Sequence, residues 1–133
     1  MKAVFLDTVG LLALWDKSDQ WHDAATTAFA AIQIDRTEVV TTTFVLAECA
    51  NAAARRPYRL AVARLRDRLE AAGALIVPTK SDWREAWEAY RLFTSGQAGL
   101  VDQISFVVMR RLGLSDVFGN DTHFRAAGMT TLF

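Results

Sequence analysis

Short β-branched and apolar runs alternate with helix-period segments along almost the whole chain, and this alternation restricts the fold more than any other feature. Val4 to Leu6 reads as a buried strand, Val9 to Trp15 and Trp21 to Ile34 as helices, and "EVVTTT" from Glu38 as a second strand. Thr43 to Ala54 is apolar and alanine-rich, hence helical. Pro57 suits the first turn of the next helix, which runs to about Ala72 and stops near Gly73. "ALIVP", closed by Pro78, is a third strand, and Asp82 with Glu85 resembles a capping box opening the helix that follows. That helix places Trp83, Trp87 and Tyr90 at i, i+4 and i+7, a stripe suited to core or interface packing. "TSGQAGL" is a glycine-containing loop before a helix from Leu100 to Leu112, with Ile104, Val108 and Leu112 on one face and Gly113 as its stop. "DVF" is a short strand, "NDTHFRAAG" a loop and helical turn, and "MTTLF" a last strand. The alternation predicts an α/β/α sandwich: one domain over residues 1–133, with a central, mostly parallel sheet of four to five strands and helices on both faces.

Composition narrows the setting. The chain has 133 residues, 52% of them hydrophobic, enough for a core and against disorder as a description of the whole. Its 15 basic and 15 acidic residues cancel, so overall charge points to no nucleic-acid or membrane partner, and such a partner needs local patches. One cysteine, Cys49, cannot form an internal disulfide and reads as a small buried hydrophobe. No uncharged apolar run reaches the roughly 18 residues of a membrane span. The expectation is a soluble, cytoplasmic protein.

In open α/β sheets, sites form at the carboxyl ends of strands. Asp7 sits at such an end and Asp121 just beyond another. An aspartate ending a buried strand is costly unless something neutralises it. Glu48 is the only charged residue between Val39 and Ala54 and shares a helix face with Asn51. It reads as a site acid, or as the partner of Arg55 or Arg56. Asp102 lies in the first turn of its helix, where the dipole alone would favour it, and Asp121 suits a cap or turn. Taken together, these carboxylates repel one another unless some are protonated or a cation binds. A hard divalent ion such as Mg²⁺ takes oxygen ligands, lowers the pKa of bound water and grips phosphate oxygens, the chemistry of phosphodiester hydrolysis. The chain has no Gly-x-x-x-x-Gly-Lys loop, no Gly-x-Gly-x-x-Gly and no Gly-x-Ser-x-Gly. Its two histidines, His22 and His123, cannot build a usual structural zinc site with one cysteine. Both read as surface residues, although His123, two positions from Asp121, could face the same pocket.

The segments "FLDTVGLLAL", "TTTFVLAECANAAARR" and "LVDQISFVVMRRLGLSDVFGNDTHFRAAG" resemble, in order, the motifs of PIN-domain ribonucleases, nearest to the VapC-type toxins of toxin–antitoxin pairs. The resemblance implies a Mg²⁺- or Mn²⁺-dependent endoribonuclease with Asp7, Glu48, Asp102 and Asp121 as its four acids. Asp7 and Asp102 are then the direct metal ligands, and Glu48 and Asp121 complete the cup or orient water. Thr8, Asn51 and Ser105 support them, Ser105 reading equally well as a helix-surface serine. Gly119 departs from the family, which often has Thr or Ser two positions before the fourth acid. Arg55, Arg56 and Arg59 are the candidate RNA contacts, since arginine pairs with phosphate and stacks on bases. The resemblance also implies a homodimer and a cognate antitoxin, with Trp15, Trp21 and Phe44 as exposed candidates for its groove.

Two other readings fit fewer residues. A phosphatase using Asp7 as a phosphorylated nucleophile wants a second acid two positions on, where this chain has Val9. A non-catalytic signalling or binding module would use the acids only to hold an ion.

Overall fold

The computed structural model describes residues 3–92 and 98–133. Within them, β1 (Ala3–Leu6), β2 (Glu38–Thr42), β3 (Leu75–Ile76), β4 (Asp116–Phe118) and β5 (Thr130–Thr131) form one sheet in the order β3-β2-β1-β4-β5. Every pairing is parallel, with Phe5 opposite both Val40 and Val117. The crossovers are α1 (Thr8–Trp15) and α2 (His22–Ile34), α3 (Thr43–Ala52) and α4 (Arg59–Ala71), α5 (Lys80–Leu92) and α6 (Leu100–Leu112), and the short α7 (Thr122–Ala126). The five parallel strands and seven helices of the described residues give the expected α/β/α architecture. The glycine-containing loop falls largely outside the described residues.

The strand order decides where a site can form. From β1 the chain moves one way to β2 and β3, then returns to the other side of β1 with β4. The carboxyl ends of β1 and β4 therefore flank the point where strand order reverses, the usual ligand crevice of such sheets. Phe5, Leu6, Leu11, Val45, Met109, Val117, Phe118 and Phe124, all essentially fully buried, hold these elements together beneath the crevice. Gly10 lets α1 lie directly on the end of β4: a Cβ there would sit 2.2 Å from the Phe118 carbonyl oxygen. Gly113 ends α6 in the left-handed region, φ 71°, while Leu114 N–H returns to Met109 O at 2.8 Å.

Three local readings are corrected. Pro57 precedes α4 rather than entering it, because Tyr58 occupies the cap position. α3 stops at Ala52, two residues before the expected end. The capping box of α5 is Thr79 with Asp82: Asp82 N–H donates to Thr79 Oγ1 at 3.0 Å and Thr79 N–H to Asp82 Oδ2 at 2.9 Å. Glu85 lies one turn too late to take part. Asp82, only 3% exposed, also receives two bonds from Arg111, at 2.9 and 2.7 Å, which lock α5 to α6. Trp83, Trp87 and Tyr90 form an edge-to-face ladder that stays partly exposed. No helix among the described residues is long and apolar enough to cross a membrane.

Candidate metal centre

Asp7 follows β1 directly and stands at the cap position of α1, where its carbonyl accepts from Leu11 N–H at 3.0 Å. Its backbone N–H reaches across to Phe118 O at 3.3 Å, tying the ends of β1 and β4 together. The carboxylate is 2% exposed, and its Oδ2 has no hydrogen-bond partner among the described residues. Burial, then the negative charges of Asp102 and Asp121, push its pKa up to about 7, against a smaller opposing pull from the Thr8 and Val9 backbone N–H groups.

Glu48 arrives on α3. Thr42 caps that helix, its Oγ1 accepting from Val45 N–H at 3.2 Å, while the buried Thr41 Oγ1 donates to Leu6 O at 2.6 Å. Read from sequence as β-branched strand formers, these threonines also pin α3 beside Asp7. Glu48 forms no ion pair with Arg55 or Arg56 among the described residues; its Oε1 accepts from Thr8 Oγ1 at 2.6 Å. Cys49, beside it in sequence, is fully buried, and burial pushes its thiol up to about 12, so it is no nucleophile.

Asp102 opens α6. Burial first, then the charges of Asp121 and Glu48, push it up to about 6, with His123 opposing. The dipole account of this residue is therefore incomplete: burial and the neighbouring acids also act on it, and both disfavour its charge. Asp121 caps α7, with Oδ1 accepting from His123 N–H at 2.9 Å. Each of the four acids thus sits within the electrostatic reach of at least one other, and among the described residues none pairs with a lysine or arginine.

The supporting residues divide. Thr8 holds Glu48. Ser105 is fully buried, not on a helix surface, and its Oγ has no hydrogen-bond partner among the described residues. Asn51 is exposed on α3. Gly119 lies against Asp7: a Cβ there would meet Asp7 Cβ and Oδ2 at 3.5 Å, so the hydroxyl that the family often carries is missing next to the unpartnered oxygen.

None of the three arginines pairs with the four acids among the described residues. Arg55 is exposed on the turn after α3. Arg56 lies 3.7 Å from Asp16. Arg59 donates to Ala54 O at 2.8 Å and lines a groove of about 610 Å³ between α3 and α4, with Leu46, Ala50 and Val62. Of the three groove candidates only Trp21 is exposed. Trp15 packs on Tyr58, and Phe44 on Trp83.

Both histidines are half-buried rather than on the surface. His22 Nδ1 lies 2.9 Å from Ala13 O. His123 Nδ1 lies 3.1 Å from Asp121 Oδ1 and 3.8 Å from Asp102 Oδ2. Its two-residue spacing from Asp121 was the only sequence signal, and it became decisive because α7 begins between them.

A divalent cation suits this donor set. The buried orphan oxygen on Asp7, the mutual repulsion of the acids and the absence of a lysine or arginine paired with them among the described residues all call for one positive centre. Fold and site together define an α/β domain whose acids gather at the strand-order reversal as a donor set fit for a divalent cation. The PIN domain family model matches residues 4–128, and the chain belongs to that family. It is similar to Mycobacterium tuberculosis VapC20, a sarcin–ricin loop cleaving toxin, at 27% identity and TM-score 0.81, covering 96% of this chain and 97% of that one. Two further structures share the fold: FitAB bound to an IR36 DNA fragment, at 15% identity and TM-score 0.65 over 96% of this chain and 92% of that one, and FitAcB from Neisseria gonorrhoeae, at 16% and 0.64 over 96% and 95%. No curated protein sequence matches the chain.

Proposed function

We propose that this protein is a divalent-metal-dependent endoribonuclease acting as the toxin of a toxin–antitoxin pair. The observation that carries the reading is Asp7: a carboxylate delivered by the central strand, buried, facing other acids, and left with an oxygen that no described residue satisfies. PIN-family membership and the likeness to VapC20 support the same chemistry.

Asp7 and Asp102 hold the ion, with Glu48 and Asp121 completing the cup. Mg²⁺ or Mn²⁺ bound there supplies positive charge and Lewis acidity toward a phosphate oxygen of the RNA. Thr8 fixes Glu48 through Oε1, which leaves Oε2 to take a proton from the attacking water. Ser105 and Asn51 support the acids from α6 and α3. Arg55, Arg56 and Arg59 are the arginines offered to the RNA backbone, the surface contact of Arg56 with Asp16 at 3.7 Å being weak enough to exchange for a phosphate.

The substrate that the likeness to VapC20, a sarcin–ricin loop cleaving toxin, suggests is an RNA loop. Residues 1–133 act as one catalytic domain in the cytoplasm, silenced by a cognate antitoxin. A second copy of the chain covers the aromatic ladder of α5, whose Trp83, Trp87 and Tyr90 are 41%, 38% and 46% exposed.

The test is cleavage of an RNA loop and of total RNA by the purified protein. Cuts are expected with Mg²⁺ or Mn²⁺, and none after EDTA. Cleavage indifferent to EDTA, or metal binding with no turnover on any RNA, overturns the reading, and the latter favours a binding module.

A further inference from the structure

The four acids account for a hard oxygen site, but the cup contains a fifth group that an all-carboxylate centre does not need. His123 Nδ1, Asp102 and Asp121 offer ligand atoms that all lie within 4.8 Å of one another. Two ligands about 2.1 Å from one ion sit about 3.0 Å apart when adjacent and about 4.2 Å apart when opposite. The observed spacings from Nδ1, 3.1 Å to Asp121 Oδ1 and 3.8 Å to Asp102 Oδ2, fall within that range. The residue is placed beside Asp121 by its own backbone, because His123 N–H donates to Asp121 Oδ1 at the start of α7. Asp7 stands outside that group of three, but its unpartnered Oδ2 lies on a side chain that is 2% exposed and within electrostatic reach of Asp102 and Asp121, an independent sign that a cation belongs beside them.

We propose that His123 Nδ1 is a nitrogen ligand of the metal centre and that it shifts the preference of the centre from Mg²⁺ toward Mn²⁺. The inference rests on the metal-centre reading above and deepens it. Mg²⁺ and Mn²⁺ both take carboxylate and water, but Mg²⁺ is the harder and dehydrates reluctantly, whereas Mn²⁺, a first-row transition ion, accepts a nitrogen donor more readily. A ring nitrogen added to the carboxylates therefore raises affinity for Mn²⁺ while adding little for Mg²⁺.

The decisive experiment is electron spin-echo envelope spectroscopy of the protein loaded with Mn²⁺. The chain has only two histidines, and His22 Nδ1 faces Ala13 O at the far end of α1. Wild-type protein should show the coupling of a directly bound imidazole nitrogen, altered by ¹⁵N-histidine labelling, retained in His22→Gln and lost in His123→Phe. In parallel, His123→Phe should weaken Mn²⁺ binding by about tenfold or more, at least the loss seen when a ligand's supporting partner is removed, and change Mg²⁺ binding little. Bound Mn²⁺ without nitrogen coupling overturns the proposal, and so does an equal loss for both metals, which would make His123 a positioning residue. Asp102→Asn separates the two levels of the reading. Mn²⁺ binding that survives it intact sinks the metal centre itself, whereas binding that depends on Asp102 but not on His123 sinks only the nitrogen ligand.

Discussion

Asp7 and Asp82 are the same residue type, buried to 2% and 3% exposure, and the protein treats them in opposite ways. Asp82 receives two bonds from Arg111 and one from the Thr79 backbone, and Arg111 chiefly holds its pKa below the usual carboxylate value. Asp7 faces Asp102 and Asp121, receives no arginine, and is pushed up to about 7. The first is a structural acid whose charge is already neutralised. The second is held in readiness for a charge that the polypeptide does not provide. Burial alone therefore does not mark a functional carboxylate; burial without a counter-ion does.

The largest expected difference is in activity. Asp7→Asn should reduce RNA cleavage by about a hundredfold or more, the scale of losing metal-site chemistry, while Asp82→Asn should leave cleavage per folded molecule unchanged. Both follow from cleavage assays paired with circular dichroism. Equal activity losses in the two variants would erase the distinction.

Stability should respond the other way. Arg111→Met strands the Asp82 carboxylate and should lower the urea unfolding midpoint, though by less than the loss of a fully buried pair because the guanidinium is exposed to solvent screening. Asp7→Asn removes a repelled charge and should raise the melting temperature of the metal-free protein at pH 8. The pH dependence sharpens this. Asp7 and Asp102 hold their protons more tightly in the folded protein than in the unfolded chain, so metal-free stability should fall as pH rises from 3.8 toward about 7. The lowered pKa of Asp82 acts in the opposite sense, but only below the ordinary value of 3.8. Thermal melts in EDTA across that window test the sign, and Mn²⁺ should restore the lost stability at pH 8.

The smallest effect expected is that of Thr8→Val. It frees Glu48 from its 2.6 Å bond and should slow cleavage by about tenfold while metal affinity stays close to wild type. An unchanged rate would show that Glu48 needs no such support.

Much of this contrast was legible in the residues. Asp7 stands out because a β-branched and aromatic run ends in a charge, and the strand–helix alternation already locates strand ends as the site. The role of Asp82 was half-visible: its place in a helix start was clear, but Thr79 as its box partner was hidden by the strand-like "ALIVP" before it. Arg111 lies 29 positions away, and only the antiparallel packing of α5 on α6 brings it there. Thr41 and Thr42 looked like strand residues because β-branching signals a strand whether or not the hydroxyl is used. His123 was read as surface because one ring two residues from an acid carries no periodic signal, and the short α7 that turns it inward leaves almost no trace in hydrophobic pattern. Gly10 gave no warning either, since close approach to Phe118 depends on a partner 108 positions away.

Anomalous diffraction from crystals grown with Mn²⁺ tests the central claim most directly. The account predicts an Mn²⁺ peak between Asp7 and Asp102, within bonding distance of both carboxylates. A peak at any other site, or an empty cup at saturating Mn²⁺, would contradict it.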